Sequence, residues 1–250
     1  MIVAVIGKGG VGKTTVTSLL LKRLLSAGQT PLLAIDADPS NCLGSSLGIA
    51  VQKTLGDFRE AMRDSPDKPA AMSQAEWLAL QAEEAMAENL GFDLLTMGRP
   101  EGKGCYCFVN NLIRDHLDRL ARSYRHVLID CEAGLEHLSR RTAGKPDILV
   151  CVTNRSRMSA ETICRSLVLF KSLHGGLPAR VDLILNQFDP GEPLTKETVA
   201  IAAGAESFNR IFAVPRDPQV AAFEADGRSL LELSPATDAA SALSAWEIGG

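Results

Sequence analysis

No apolar run in this chain of 250 residues approaches the roughly 20 needed to cross a bilayer. Met1 passes directly into the strand-like IVAVI, without the charged, apolar and small-residue succession of a cleaved leader, so a cytoplasmic protein is expected. There is no basic excess: 26 Lys and Arg stand against 30 Asp and Glu, a net charge of −4, which disfavours nucleic acid and anionic membrane as partners. Six cysteines are too few to staple a chain this long, and a reducing compartment keeps them as thiols. Cys42, Cys151 and Cys164 have apolar neighbours and read as small core residues. Repeats, low-complexity tracts and linkers are also missing, and residues 1–250 are expected to form one domain.

What is present is a succession of short apolar runs: 2–6, 32–35, 92–97, 126–130, 147–152, 180–186 and 210–214. Most are continuous instead of alternating, as expected of strands buried on both faces. Between them lie helical patterns. One runs from Thr14 to Ala27 and ends at Gly28. A second opens on Ser73 and Glu76 at capping-box spacing and is expected to end near Gly91. A third carries the stripe Ile113, Leu117, Leu120. Residues 49–91 read as a helical excursion between strands, and Ser234 to Gly250 as a last helix. The alternation predicts an α/β fold with one doubly wound, mostly parallel sheet flanked by helices.

The first strand is followed by GKGGVGKTT, residues 7–15, which satisfies G-x-x-x-x-G-K-[ST]. Gly7, Gly9 and Gly12 also satisfy the dinucleotide pattern G-x-G-x-x-G, and Asp36 stands where a ribose-binding acid would be expected. Lys13 and Thr14 decide between the two. An ammonium for the β- and γ-phosphates and a hydroxyl for Mg²⁺ are not required by a dinucleotide pyrophosphate. ATP or ADP with Mg²⁺ is therefore expected, cradled by Gly9, Gly10, Val11, Gly12, Lys13, Thr14 and Thr15. Asp36 and Asp38 follow the second strand, where a carboxylate can orient an attacking water or hold Mg²⁺ through water. Asp130 ends the buried strand HVLID, and a buried, unpaired acid there is better explained by a cation.

Lys8, a second lysine inside the loop, resembles the deviant Walker A motif of the MinD/ParA and nitrogenase iron protein class. The resemblance implies a homodimer in which Lys8 reaches the nucleotide of the other subunit and stabilises transition-state charge. It further implies Asp38 as the water-activating residue of switch I, Asp130 as the Walker B acid beside Thr14 at Mg²⁺, and Ala133-Gly134 as the start of switch II. Asn186, Pro215, Arg216 and Asp217 resemble the adenine-side segments of the class.

EGKGCYCFVNN, residues 101–111, places Cys105 and Cys107 one residue apart. Two-fold symmetry would turn two thiols into four, a site for Zn²⁺, another soft or borderline ion, or a small Fe–S cluster. GKGGVGKTT, GRPEGKGCYC and IDCEAGLEHLSRR together resemble the CooC family, ATPases that support nickel insertion into carbon monoxide dehydrogenase. That resemblance implies Ni²⁺ or Zn²⁺ shared between subunits at Cys105 and Cys107, and a client nickel enzyme. Where the nitrogenase iron protein carries its second cluster cysteine this chain has His137, which weighs against low-potential electron transfer. An iron–sulfur ATPase and a MinD/ParA-like positioning ATPase are the alternatives.

Overall fold

The computed structural model describes residues 1–57, 72–98, 119–131, 145–189 and 208–249. Among the described residues eight strands form one sheet: β1 (Ile2–Gly7), β2 (Leu32–Asp36), β3 (Met86–Asn89), β4 (Phe92–Thr96), β5 (His126–Asp130), β6 (Ile148–Thr153), β7 (Arg180–Phe188) and β8 (Arg210–Pro215). Their order is β3-β4-β2-β5-β1-β6-β7-β8, parallel throughout except for the β3–β4 pair. All seven predicted strands are present, and the sheet is the doubly wound one their continuous apolar runs predict. The chain passes from β1 to β2 on one side and reaches β6 on the other. That reversal opens a crevice beyond the carboxyl end of β1.

Successive residues of each strand serve opposite layers, because side chains alternate across a pleated sheet. On one face Val3, Val5, Leu32, Ala34 and Val150 pack with α1 (Lys13–Ser26), α2 (Cys42–Ser46) and the carboxy-terminal elements. On the other, Ala4, Ile6, Leu33, Ile35 and Cys151 pack with α3 (Gln74–Glu84) and α4 (Arg157–His174). Among the described residues no helix is long and apolar enough to cross a membrane.

Three expectations need correction. The Ser73–Glu76 capping box is formed, yet α3 stops at Glu84 and the chain makes strand β3 before Gly91. Asn89 pairs with Phe92, leaving Leu90 and Gly91 as a two-residue hairpin loop in which Gly91 takes φ 84°. Local hairpin chemistry outweighed the helical composition of residues 49–91, of which 58–71 lie outside the described residues.

The carboxy-terminal segment is not one helix. Preceded by α5 (Pro218–Ala225) and a 3-10 turn at Leu230–Glu232, it holds within residues 234–249 the five-residue α6 (Asp238–Ala242) followed by irregular chain. What fixes it is tertiary. Trp246 is fully buried and its Nε1 donates to Asp182 at 3.1 Å, while Arg180 forks onto the same carboxylate and donates to the Glu247 carbonyl. A buried aromatic of this size contributes about 3–5 kcal/mol relative to alanine, more than a short Ala-Ser helix could. Lastly, of the presumed core thiols only Cys151 is buried; Cys42 is exposed and Cys164 intermediate. Of the third helical stripe, Leu120 packs at the edge of the second core layer, and Ile113 and Leu117 lie outside the described residues.

Candidate functional site

β1 ends at Gly7, and residues 8–12 turn into α1. Gly12 is the helix N-cap at φ 86° with no side-chain cap, so the first-turn amides of α1 are left available to an anion. A Cβ at Gly12 would stand 2.3 Å from Nδ2 of Asn186, so glycine is required there for space as well as for φ. Lys13 is buried, and its Nζ donates to the Lys8 carbonyl across the loop at 3.4 Å. Lys8 turns the other way, its Nζ 3.1 Å from Sδ of Met158 at the start of α4.

Three strand ends place the acids. Asp36 pairs in register with Asp130 on β5 and with Thr96 on β4, so these side chains emerge on one face of the sheet. Thr14 Oγ1 donates to Asp130 Oδ2 at 2.6 Å, and Thr17 Oγ1 to Oδ1 at 3.3 Å. Asp36 accepts the backbone N–H groups of Asp38 (3.1 Å) and Leu43 (2.9 Å), holding the turn after β2 as a loop. Asp38 is half-buried and accepts the Ser40 N–H at 2.9 Å. It is better placed than Asp36 to meet a water entering from solvent.

Burial, then the charge of Asp130, pushes Asp36 up to about 7. Burial pushes Asp130 up to about 6, against the opposing pull of the Thr14 hydrogen bond and the Lys13 ammonium. Both carboxyls therefore bind protons more tightly in the fold than in the unfolded chain. Their stabilising contribution is complete below the ordinary Asp pKa of 3.8 and is lost as pH rises through about 6 and 7. The ligand-free protein should accordingly lose about 4 kcal/mol of stability between pH 5 and pH 8 from these groups. Denaturant unfolding at both pH values, beside Asp36→Asn, checks this: the variant should show a flatter dependence, and an unchanged slope would contradict the assignment.

The Thr14 hydroxyl and Asp130 carboxylate are hard oxygen donors, the kind Mg²⁺ accepts alongside waters and phosphate oxygens. Among the described residues no group of three or more His, Cys, Asp or Glu side chains is arranged to hold a metal by itself. Cys105, Cys107 and His137 lie outside the described residues, as do Ala133 and Gly134.

Beside the first turn of α1 lies a cavity of about 610 Å³, lined by Thr15, Asn186, Pro215, Arg216, Asp217 and Glu224 among others. The predicted adenine-side residues thus meet the phosphate loop. Their side chains are already occupied, however. Asp217 caps α5 by accepting the Gln219 N–H at 2.8 Å and holds α6 by accepting the Ala239 N–H at 3.0 Å. Arg216 pairs with Asp189 at 3.0 Å.

The chain matches the family described as cellulose biosynthesis protein BcsQ over residues 1–244. It belongs to that family of ParA/MinD-type P-loop ATPases. An uncharacterized ATP-binding protein of Methanocaldococcus jannaschii is 39% identical over 236 residues, 93% of this chain and 91% of that protein. The carbon monoxide dehydrogenase accessory protein CooC of Rhodospirillum rubrum is 30% identical over 249 residues, 94% of this chain and 91% of that one. The fold is shared with the cell division ATPase MinD of Pyrococcus furiosus, at a TM-score of 0.70, 20% identity and coverage of 97% and 94%.

Within this BcsQ-family site, several participants carry no sequence motif. Thr17 braces the second oxygen of Asp130. Glu224 accepts the Thr15 hydroxyl at Oε1, 2.6 Å away, linking α5 to α1 across 209 positions. Thr96, 1% exposed, extends the row of Asp36 and Asp130 with an Oγ1 that has no hydrogen-bond partner among the described residues. Gln187 reaches the phosphate loop from β7. Only strand register and long-range packing bring them there.

Proposed function

We propose that this P-loop ATPase is a Mg²⁺-dependent, dimeric nucleotide switch that serves as a metallochaperone, supporting nickel insertion into carbon monoxide dehydrogenase or a related nickel enzyme. In this reading residues 1–250 act as a single ATPase domain. The amides of Gly9 to Thr15 and the Lys13 ammonium bind the phosphates, while Asn186, Pro215, Arg216 and Asp217 border the base. Thr14 and Asp130 hold Mg²⁺, and Asp38 orients the attacking water. Lys8 crosses to the partner subunit's nucleotide. Among the described residues its Nζ meets nothing stronger than the Met158 sulfur, which suits a side chain that acts in trans.

The observation that carries the metal reading is the combination, in one chain, of this site with Cys105 and Cys107. Support comes from the 30% identity to CooC over nearly the whole of both chains. Nucleotide-driven movement of the loops after β2 and β5 would change the separation of the two cysteine pairs in the dimer and so capture or release the ion.

An anaerobic titration of the reduced protein with Ni²⁺ and with Zn²⁺ tests it, reading metal per chain together with molar mass. The expected result is one ion per two chains, with binding and metal-induced dimerisation abolished in Cys105→Ser/Cys107→Ser. Binding indifferent to the double substitution would refute the thiolate site. A brown species with charge-transfer absorption on reconstitution would point to a cluster carrier instead. The positioning-ATPase reading draws on the fold shared with MinD and ParA structures. It expects a basic or amphipathic carboxy-terminal surface, and Ser234 to Gly250 supplies no Lys or Arg.

A further inference from the structure

The ladder between β7 and β8 slips its register between Leu185 and Phe188. Within that slip Gln187 takes φ 58°, a left-handed backbone uncommon for a residue with a side chain of this size. In a regular strand consecutive side chains face opposite sides of the sheet. Here the irregularity turns two consecutive amides toward one loop. Nδ2 of Asn186 donates to the Val11 carbonyl at 2.8 Å, and Nε2 of Gln187 donates to the Gly10 carbonyl at 3.3 Å.

The consequence follows from peptide geometry. In a planar trans peptide the C=O and N–H point in opposite directions, so whatever anchors a carbonyl also aims the next residue's amide. Anchoring the carbonyls of Gly10 and Val11 from outside directs the N–H groups of Val11 and Gly12 into the loop's hollow. The Val11 N–H points across the loop and donates to the Lys8 carbonyl in a long hydrogen bond of 3.5 Å, weak enough for a phosphate oxygen to replace, and that carbonyl is also the one Lys13 Nζ reaches. Asn186 and Gln187 line the cavity beside Pro215 and Arg216 as well.

We infer that the Asn186–Gln187 pair is a positioning element of the phosphate cradle, with Gln187 its new member. It presents the Val11 and Gly12 amides to the phosphates and joins that cradle to the base cavity. The inference rests on the nucleotide reading of the site. It differs from simple base recognition in one measurable respect: the pair acts on ligands that have phosphates and no base.

Calorimetric titrations with MgATP, with Mg²⁺ and tripolyphosphate, and with adenosine separate these cases. Gln187→Gly accepts the left-handed backbone and removes the amide, while Gln187→Asn tolerates that backbone with an amide one methylene short. Circular dichroism and thermal midpoints establish which variants fold, and either folded variant carries the test. Both should lose roughly five- to ten-fold in affinity for MgATP and, in parallel, for tripolyphosphate, the worth of one hydrogen bond, with adenosine unchanged. A loss confined to MgATP and adenosine overturns the inference, as does no loss for any probe. Failure of the unsubstituted protein to bind MgATP or tripolyphosphate would defeat the nucleotide reading itself.

Discussion

Lys8→Ala should reduce ATP hydrolysis by about 10²–10³-fold while leaving MgATP affinity within a few-fold of the parent. Lys13, Thr14 and the unpaired amides of α1 remain to bind the phosphates, so the loss falls on the step in which charge moves to the transferring group. Mixing variants tells whether Lys8 acts across the dimer. A Lys8→Ala chain keeps its own Asp38, and an Asp38→Ala chain keeps its own Lys8. If the lysine works in trans, half the randomly formed dimers contain one complete site, restoring about a quarter of the parental activity. If it works within its own chain, the mixture stays as inactive as its components. Its position beside Met158, with no carboxylate partner among the described residues, suits a lysine that acts in trans.

Asp130→Asn is expected to move stability and activity in opposite directions. The carboxylate is fully buried, raised to about 6, and stands beside the second buried acid Asp36. An amide of the same shape keeps its oxygen for the Thr14 hydroxyl, turns its NH2 toward the Thr17 oxygen, which can accept, and removes a charge that is costly to bury. At pH 8 the ligand-free variant should therefore be more stable by about 1–3 kcal/mol, or about 2–4 °C in midpoint per kcal/mol for a chain of this size. Stabilisation by MgATP should vanish, and hydrolysis fall by at least ~10²-fold, because the carboxylate proposed to hold Mg²⁺ is gone. Thermal unfolding with and without MgATP, beside a phosphate-release assay, reads both signs. A variant less stable without ligand, or one that keeps its full MgATP shift, would contradict this account of Asp130.

These two substitutions concern residues that were legible in the sequence. Lys8, Lys13 and Thr14 belong to a contiguous loop whose function depends on local backbone shape, and Asp130 ends an unbroken apolar run. Both are short-range properties. The strands were legible for the same reason: a parallel strand covered on both faces must be apolar at every position, and few other elements are. The edge strand Met86–Asn89 escaped because it is only half covered and its composition also suits a helix. The hairpin loop at Leu90 and Gly91 decided the matter.

The composition and order of apolar runs determined the doubly wound sheet, and nine residues after the first strand determined the phosphate site. Each is encoded by neighbours in the chain. Only the tertiary structure decided that Asp36, Asp130 and Thr96 form one buried row, since that depends on the register of three strands. It alone decided that the last residues are pinned by Trp246 to Asp182 instead of forming a helix, and that Asn186 and Gln187 hold the phosphate loop. Those last hydrogen bonds join residues 64 to 177 positions apart. Their partners are chosen by packing and hydrogen-bond satisfaction across the whole fold, and no local pattern can carry that information.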